Sequence, residues 1–291
     1  MANMNFLYEN ITNKILKILE SGVSPWKKSW RAENMPINVA TKYPYRGINV
    51  WLLLASPTAT TPYWLTYNQL KKLGGTINPG EEKNYETIIF FKIIKYSKDA
   101  DEKTYPMIRY TRVWNLGQVT MSDEKLEKLV PKVVKPREVN KIEACEDIIK
   151  NYKDCPDIEH GGDKAYYTPM FDRVQMPVQK DFDNDESYYG VLFHEMGHST
   201  GAPKRLNRFK AADSNIFGSD TYSKEELIAE MTASFLSAET GIGNDLIENT
   251  AAYIKGWTHA IKDGDKNFVI SAASKAQFAA DYILQRTVKK A

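Results

Sequence analysis

The stretch that most constrains this chain is Ser187 to His198, Ser-Tyr-Tyr-Gly-Val-Leu-Phe-His-Glu-Met-Gly-His. Tyr188, Val191, Leu192 and Met196 recur at helical spacing, which predicts one helix with a buried stripe. His194 and His198 are four residues apart, so a helix sets both imidazoles on one face, one turn apart. Two ligands of one tetrahedral metal need that geometry. Glu195, between them, projects beside the metal rather than onto it. There it can take a proton from a water held by the metal and pass it to a leaving group. This spacing is the H-E-x-x-H device of metalloproteases.

A catalytic zinc site needs a third protein ligand and one position left open. The metzincin pattern H-E-x-x-H-x-x-G-x-x-H would supply a histidine. Gly201 is in place, but Lys204 stands where that histidine should be, so this class is excluded. The better source is the next helical stretch, Ser223 to Glu239. Glu226 and Glu230 are four apart and share a face, which Ala233, Ser234 and Ser237 continue. Small side chains there would let two helices approach closely. Glu226 is assigned as third ligand, and Glu230 as the acceptor that orients a histidine ring. The alternative keeps Glu226 in a capping box with Ser223 and makes Glu230 the ligand, with Glu225 further behind. Tyr166, Tyr167 and His259 are candidates for stabilising an oxyanion, and spacing does not choose among them. The expected cation is zinc, one per chain; another divalent transition metal would suit the same donors.

A chain of 291 residues is comfortable for two domains. Its longest apolar run, Val50 to Ala55, is far too short to span a bilayer, so no membrane role is expected. The start, Met-Ala-Asn-Met-Asn-Phe, lacks the pattern of a secretory signal. Two cysteines, Cys145 and Cys155, fit neither a disulfide framework nor a four-cysteine zinc site, and the expectation is a reduced cytoplasmic setting. The net charge of +2 hides an asymmetry. Residues 1–140 carry 21 Lys+Arg against 13 Asp+Glu, a balance of +8; residues 141–291 carry 18 against 24, a balance of −6. Five of the six tryptophans lie in the first part.

That basic, aromatic half reads as a nucleic-acid surface. Cations track phosphates, and rings offer stacking platforms to unpaired bases. Trp26, Lys27, Lys28, Trp30, Arg31, Tyr45 and Arg46 cluster in Pro- and Gly-broken loops, and Trp64 follows. No recognition helix or zinc finger is present, so single-stranded DNA fits better than duplex. Within this half, residues 6–21 predict an amphipathic helix. Thr66 to Gly75 predicts a short one with Thr66 as N-cap, and 87–96 and 107–114 predict strands. The two prolines of 131–140 mark a linker. The fold expected is α+β in two domains. Residues 1–130 form an α+β single-stranded-DNA-binding domain. Residues 141–291 form a mostly helical, zincin-like metallopeptidase domain with a small sheet. Ala165 to Pro177 reads as extended segments around a turn, and would supply a strand beside the metal helix, able to pair with an extended peptide.

The ordered motifs add a resemblance. Asn10-Ile-Thr, Ser24-Pro-Trp-Lys-Lys-Ser-Trp, Pro36-Ile-Asn, Tyr45-Arg-Gly-Ile-Asn, Tyr63-Trp-Leu-Thr-Tyr-Asn-Gln and Arg112-Val-Trp-Asn resemble the N-terminal domain of ArdC-type antirestriction proteins of conjugative plasmids and related elements. Ala165-Tyr-Tyr-Thr-Pro, Asp172-Arg-Val-Gln-Met-Pro, Arg205-Leu-Asn-Arg and Glu225-Glu-Leu-Ile-Ala-Glu-Met are similar to that family's zincin domain. The resemblance implies single-strand binding, a metallopeptidase-like domain and protection of incoming DNA during conjugation. It also implies His194 and His198 as ligands and Glu195 as catalytic acid/base. The protein substrate stays open. The alternative is a single-strand-binding protein whose metal domain is structural rather than proteolytic.

Overall fold

The computed structural model describes residues 2–20, 35–98, 101–130, 141–209, 220–243, 257–259, 261 and 267–286. The expected linker at 131–140 and the loop carrying Trp26, Lys27, Lys28, Trp30 and Arg31 lie outside the described residues. The architecture is α+β, in two compact units: Met1–Leu7 with Asn34–Lys135, and Tyr8–Glu33 with Pro136–Ala291. Helix α1 (Ala2–Glu20) buries Ile11, Ile15 and Leu19 at i, i+4 spacing. From Tyr8 onward it groups with the second unit rather than opening the first. An apolar stripe demands cover, but its spacing does not say which core provides it.

The first unit runs β1 (Ile37–Asn38), α2 (Ile48–Leu54), β2 (Tyr63–Thr66), α3 (Tyr67–Lys72), β3 (Thr76–Ile77), β4 (Glu86–Lys98), β5 (Asp101–Asn115), β6 (Val119–Thr120) and α4 (Asp123–Leu129). Four strands form one sheet in the order β1-β2-β5-β4, and β3 pairs with β6. Side chains alternate between the two faces. Trp64, Ile88 and Val113 meet Leu53 of α2 on one face. Leu65 and Trp114 join Leu70, Leu116, Val119 and Met121 on the other. Trp64 is 1% exposed, which corrects its reading as a DNA-stacking ring: the alternation that buries its neighbours buries it too. Thr66 caps α3 in a reciprocal capping box with Gln69, and Gly74, at φ +68°, follows its end.

The second unit holds α5 (Lys141–Asn151), β7 (Asp157–His160), β8 (Tyr166–Thr168), β9 (Arg173–Met176), α6 (Asp185–Ser199), α7 (Asp220–Thr240) and α8 (Phe268–Ile283). The sheet order is β7-β9-β8, with β8 antiparallel to β9 and unpaired on its other edge among the described residues. Asn184 caps α6 by accepting the Ser187 N–H at 2.8 Å. Helix α7 packs between α6 and α8, and every residue from Glu226 to Ala238 is buried. A Cβ at Gly197 would stand 3.0 Å from the Ala229 Cα and 3.2 Å from the Thr232 Cβ, so glycine sets the approach of the two backbones. The expected small residues Ala233, Ser234 and Ser237 are buried, but the tightest approach is a turn earlier, at Ala229.

Arg205 ties the sheet to the end of α6. Its side chain is 0% exposed. It donates to both carboxylate oxygens of Asp172 at 2.7 and 2.9 Å, to the Ser199 carbonyl at 3.0 Å and to the Asp154 carbonyl at 2.8 Å. Asp172 sits at φ +48° in the β8–β9 turn and also accepts from Tyr167 at 2.7 Å and Lys204 at 2.5 Å. Burial alone would raise the Asp172 carboxyl; Arg205, Lys204 and Tyr167 outweigh it and hold it well below the usual carboxylate range. The depressed group stabilises the fold above the unfolded value near ~4, and that contribution is lost as pH falls through the lower folded value. Asparagine tolerates the same backbone. Asp172→Asn is therefore expected to destabilise the second unit by about 3 kcal/mol at pH 7, because it leaves a buried guanidinium without its counter-charge. In urea unfolding across a pH series, the gap to wild type should stay constant above about pH 4 and close below it. A gap that ignores pH would show that the carboxylate charge is not what the turn depends on.

Candidate metal centre

Helix α6 presents His194 and His198 toward Glu226 of α7. The two Nε2 atoms face each other at 3.1 Å. Glu226 Oε2 stands 3.4 Å from the His194 Nε2, and Oε1 stands 3.4 Å from the His198 Nε2. One ligand atom from each of the three side chains lies within 4.8 Å of the others. Two ring nitrogens held this close need a shared proton or a shared cation. On one tetrahedral ion with metal–nitrogen bonds of about 2.05 Å, two nitrogens stand roughly 3.3 Å apart. The donor set therefore fits a divalent ion, and its two imidazoles and one carboxylate suit zinc or a neighbouring transition metal.

The outer ring nitrogens face carboxylates. His194 Nδ1 is buried, 3.5 Å from Glu230 Oε2, without the alignment of a hydrogen bond. His198 Nδ1 is 3.7 Å from Glu225 Oε1. Arg208 holds Glu225 through Nη2 at 2.5 Å and Nε at 3.2 Å. The same guanidinium donates to the Gly197 carbonyl at 3.0 Å and the Thr200 hydroxyl at 2.6 Å. Burial alone would lower both imidazoles. The charge of Glu226, joined by Glu230 on one side and Glu225 on the other, reverses this and brings His198 to about 9 and His194 well above its ordinary value. Glu226 is held well below the usual range by both histidines, against the opposing effect of burial. Glu195 is 7% exposed.

Lys204, at the metzincin position, pairs with Asp172. Tyr167 donates its hydroxyl to Asp172, Tyr166 is 50% exposed, and His259 is exposed. In the first unit, Tyr45 is half-buried against the Trp64 cluster, and its hydroxyl accepts from Asn38 Nδ2 at 3.2 Å. Burial pushes this phenol up to about 12. Its ring is packing rather than an open platform, whereas Arg46 is exposed.

Residues 143–275 match the model of a zincin-like metallopeptidase family, and residues 5–116 match the N-terminal domain of anti-restriction factor ArdC. The uncharacterized protein y4eC of Sinorhizobium fredii is 33% identical over 95% of this chain and 91% of its own length. The crystal structure of the antirestriction protein ArdC from plasmid R388 superposes with a TM-score of 0.76 at 31% identity, covering 96% of this chain and 97% of that one. The chain belongs to the ArdC antirestriction family. That relative has been solved metal-free and Mn(II)-bound, with the same likeness to this chain. DNA primase TraC of Escherichia coli is 30% identical over 95% of this chain, which spans 27% of the primase.

Sequence reasoning gave Arg208 no role at this ArdC-family centre and held Glu225 only as a remoter candidate for third ligand, not as the acceptor behind His198. Arg208 lies in the Arg205-Leu-Asn-Arg motif, outside any ligand spacing, and Glu225 is one residue off the i, i+4 pair. The pairing of a basic residue after the metal helix with the first acid of Glu225-Glu226 was the available signal. Replacing Glu225 by Gln is expected to weaken binding of a divalent ion ten- to a hundred-fold, in the range of about 10–100 for outer acceptors. Isothermal titration with zinc and with manganese reads this directly, and unchanged affinity for both would remove Glu225 from the site.

Proposed function

We propose that the second unit is a zinc-dependent peptidase and that the first holds single-stranded DNA. Together they would act in the cytoplasm as an antirestriction factor that protects incoming DNA during conjugative transfer. The observation that carries the peptidase reading is the convergence of His194, His198 and Glu226 beside Glu195, within a zincin-like domain. His194, His198 and Glu226 would hold the cation, with Glu230 and Glu225 behind the rings. When bound, such an ion polarises a carbonyl and acidifies water at neutral pH. Glu195 would accept the proton of the attacking water and return it to the leaving amine. The unpaired edge of β8 offers main-chain partners to an extended peptide. The Mn(II)-bound relative supports a divalent ion of this class.

The single-strand reading rests on the ArdC-type N-terminal match and on charge. Residues 34–135 carry 15 Lys+Arg against 9 Asp+Glu, a balance of +6. A DNA primase with a 30% identical stretch spanning 27% of its length also supports a DNA-handling role. Exposed Arg46 and the Trp26–Arg31 cations would track phosphates.

Glu195→Ala should bind zinc with wild-type affinity by titration and hydrolyse no casein, whereas His194→Ala should lose the ion. Peptidase activity equal to wild type in the Glu195 variant would sink the mechanism. A DNA-protecting protein in which Glu195→Ala still blocks restriction would move the function to DNA binding alone.

A further inference from the structure

The single-strand reading leaves open which surface of the first unit meets the bases. Trp64 is core, Tyr45 is packed, and Trp26 and Trp30 lie outside the described residues, so among the described residues the rings for stacking are others. Among the described residues of this unit four aromatic side chains are exposed: Tyr43, Tyr67, Phe90 and Tyr110. One of them, Tyr110, lies in a row on β5 that Tyr67 of α3 flanks. Trp114 lies 6.4 Å from Tyr67 and 5.7 Å from Tyr85, ring centre to ring centre. The Arg112 guanidinium sits over Tyr85 at 4.3 Å. Tyr110 is two residues along β5 from Arg112, and Trp114 is two residues the other way, so alternation puts all three on one face.

On that face Trp114 is 6% exposed and sealed into the core, while Tyr67 and Tyr110 are 52% and 53% exposed. Arg112 is exposed as well. The carboxylate of Glu81, whose carbonyl takes the Trp114 indole N–H, is engaged by Gln118 and Asn84. A stretch of sheet that shows Tyr110 and Arg112, flanked by Tyr67 and Tyr85, in a unit of balance +6, is matched to a ligand with flat faces and regular negative charge. Stacking on sheet aromatics is how several single-strand-binding sheets hold bases.

We infer that the β5 face bearing Tyr110 and Arg112, flanked by Tyr85 and Tyr67, is a binding surface for single-stranded DNA. Tyr110 offers its ring to a base. Arg112, held flat on Tyr85, turns its edge donors to phosphate. The inference rests on the single-strand reading above, and the test separates the two.

The test uses the full chain and a fluorescently labelled oligo-dT, read by anisotropy at several salt concentrations. Tyr110→Thr removes the ring and keeps a strand-favouring residue; Tyr110→Phe keeps the ring. Tyr110→Thr is expected to weaken binding about five- to a hundred-fold, the equivalent of one stacked base, with an unchanged salt slope. Tyr110→Phe should bind within about twofold of wild type, inside the scatter of one lost exposed hydroxyl. Arg112→Gln should weaken binding and reduce the log–log salt slope by about 0.7, one single-strand phosphate contact. Thermal melts that match wild type show that the variants are folded. Wild-type binding that both Tyr110→Thr and Arg112→Gln retain in full overturns this surface and leaves single-strand binding standing. A wild-type chain that does not bind oligo-dT at low salt overturns both.

Discussion

A single carboxylate, Glu226, reaches the inner nitrogens of two histidines at 3.4 Å each, and it does so because glycine at 197 lets α7 lie against the backbone of α6. A ligand on a second helix has a reach fixed by the separation of two helix axes, which ordinary side chains keep at about 8–10 Å. The same constraint shapes α7. A helix pressed between α6 and α8 has no solvated side, so its residues from Glu226 to Ala238 are buried whatever their polarity. Two carboxylates in such a helix are costly unless they meet positive groups. The histidines and the ion they suit answer that cost, and so chemistry and packing make one demand on this sequence.

Two buried arginines then hold the surroundings of the centre. Arg205 links the β8–β9 turn, the chain before β7 and the last turn of α6. Arg208 links that same end of α6 to Glu225 on α7. Between them, residues 200–209 fold back on the carbonyls of Thr200, Gly201 and Ala202. Each guanidinium satisfies carbonyls that end a helix or a loop, and each anchors a carboxylate. Planar forks with several fixed donors suit this role, and lysine would not replace them.

Much of this was legible along the chain. The i, i+4 histidines, the paired acids and the Thr66 cap are local patterns, and local periodicity survives folding with little change. What stayed hidden was tertiary. Trp64 sits in a motif rich in rings and cations, but strand alternation turned it inward beneath α2. Helix α1 carries an unmistakable stripe, yet its residues from Tyr8 on group with a core more than a hundred residues away. The roles of Glu225 and Arg208 depend on a crossing of chain segments that no spacing announces. Ala229 escaped notice because the helix face was read from its acids, whereas the contact is set by where Gly197 lies.

The first unit repays the same attention to cover. One face of its sheet is closed by α2 over Trp64, Ile88 and Val113. The other is closed by α3 and α4 over Leu65 and Trp114, with Tyr85 at the margin. Beyond that margin, β5 carries on to Arg112 and Tyr110, which are exposed although Ile89, the strand partner of Tyr110, is buried. Folding alone would favour a polar, β-branched pair there, because a half-exposed phenol gains little from burial. The ladder of β4 and β5 continues well past the last residue the two core clusters use. A ladder that continues past the core clusters holds half-exposed rings on a backbone kept rigid by hydrogen bonds. A site needs that combination when its ligand must stack on side chains that have already lost their freedom.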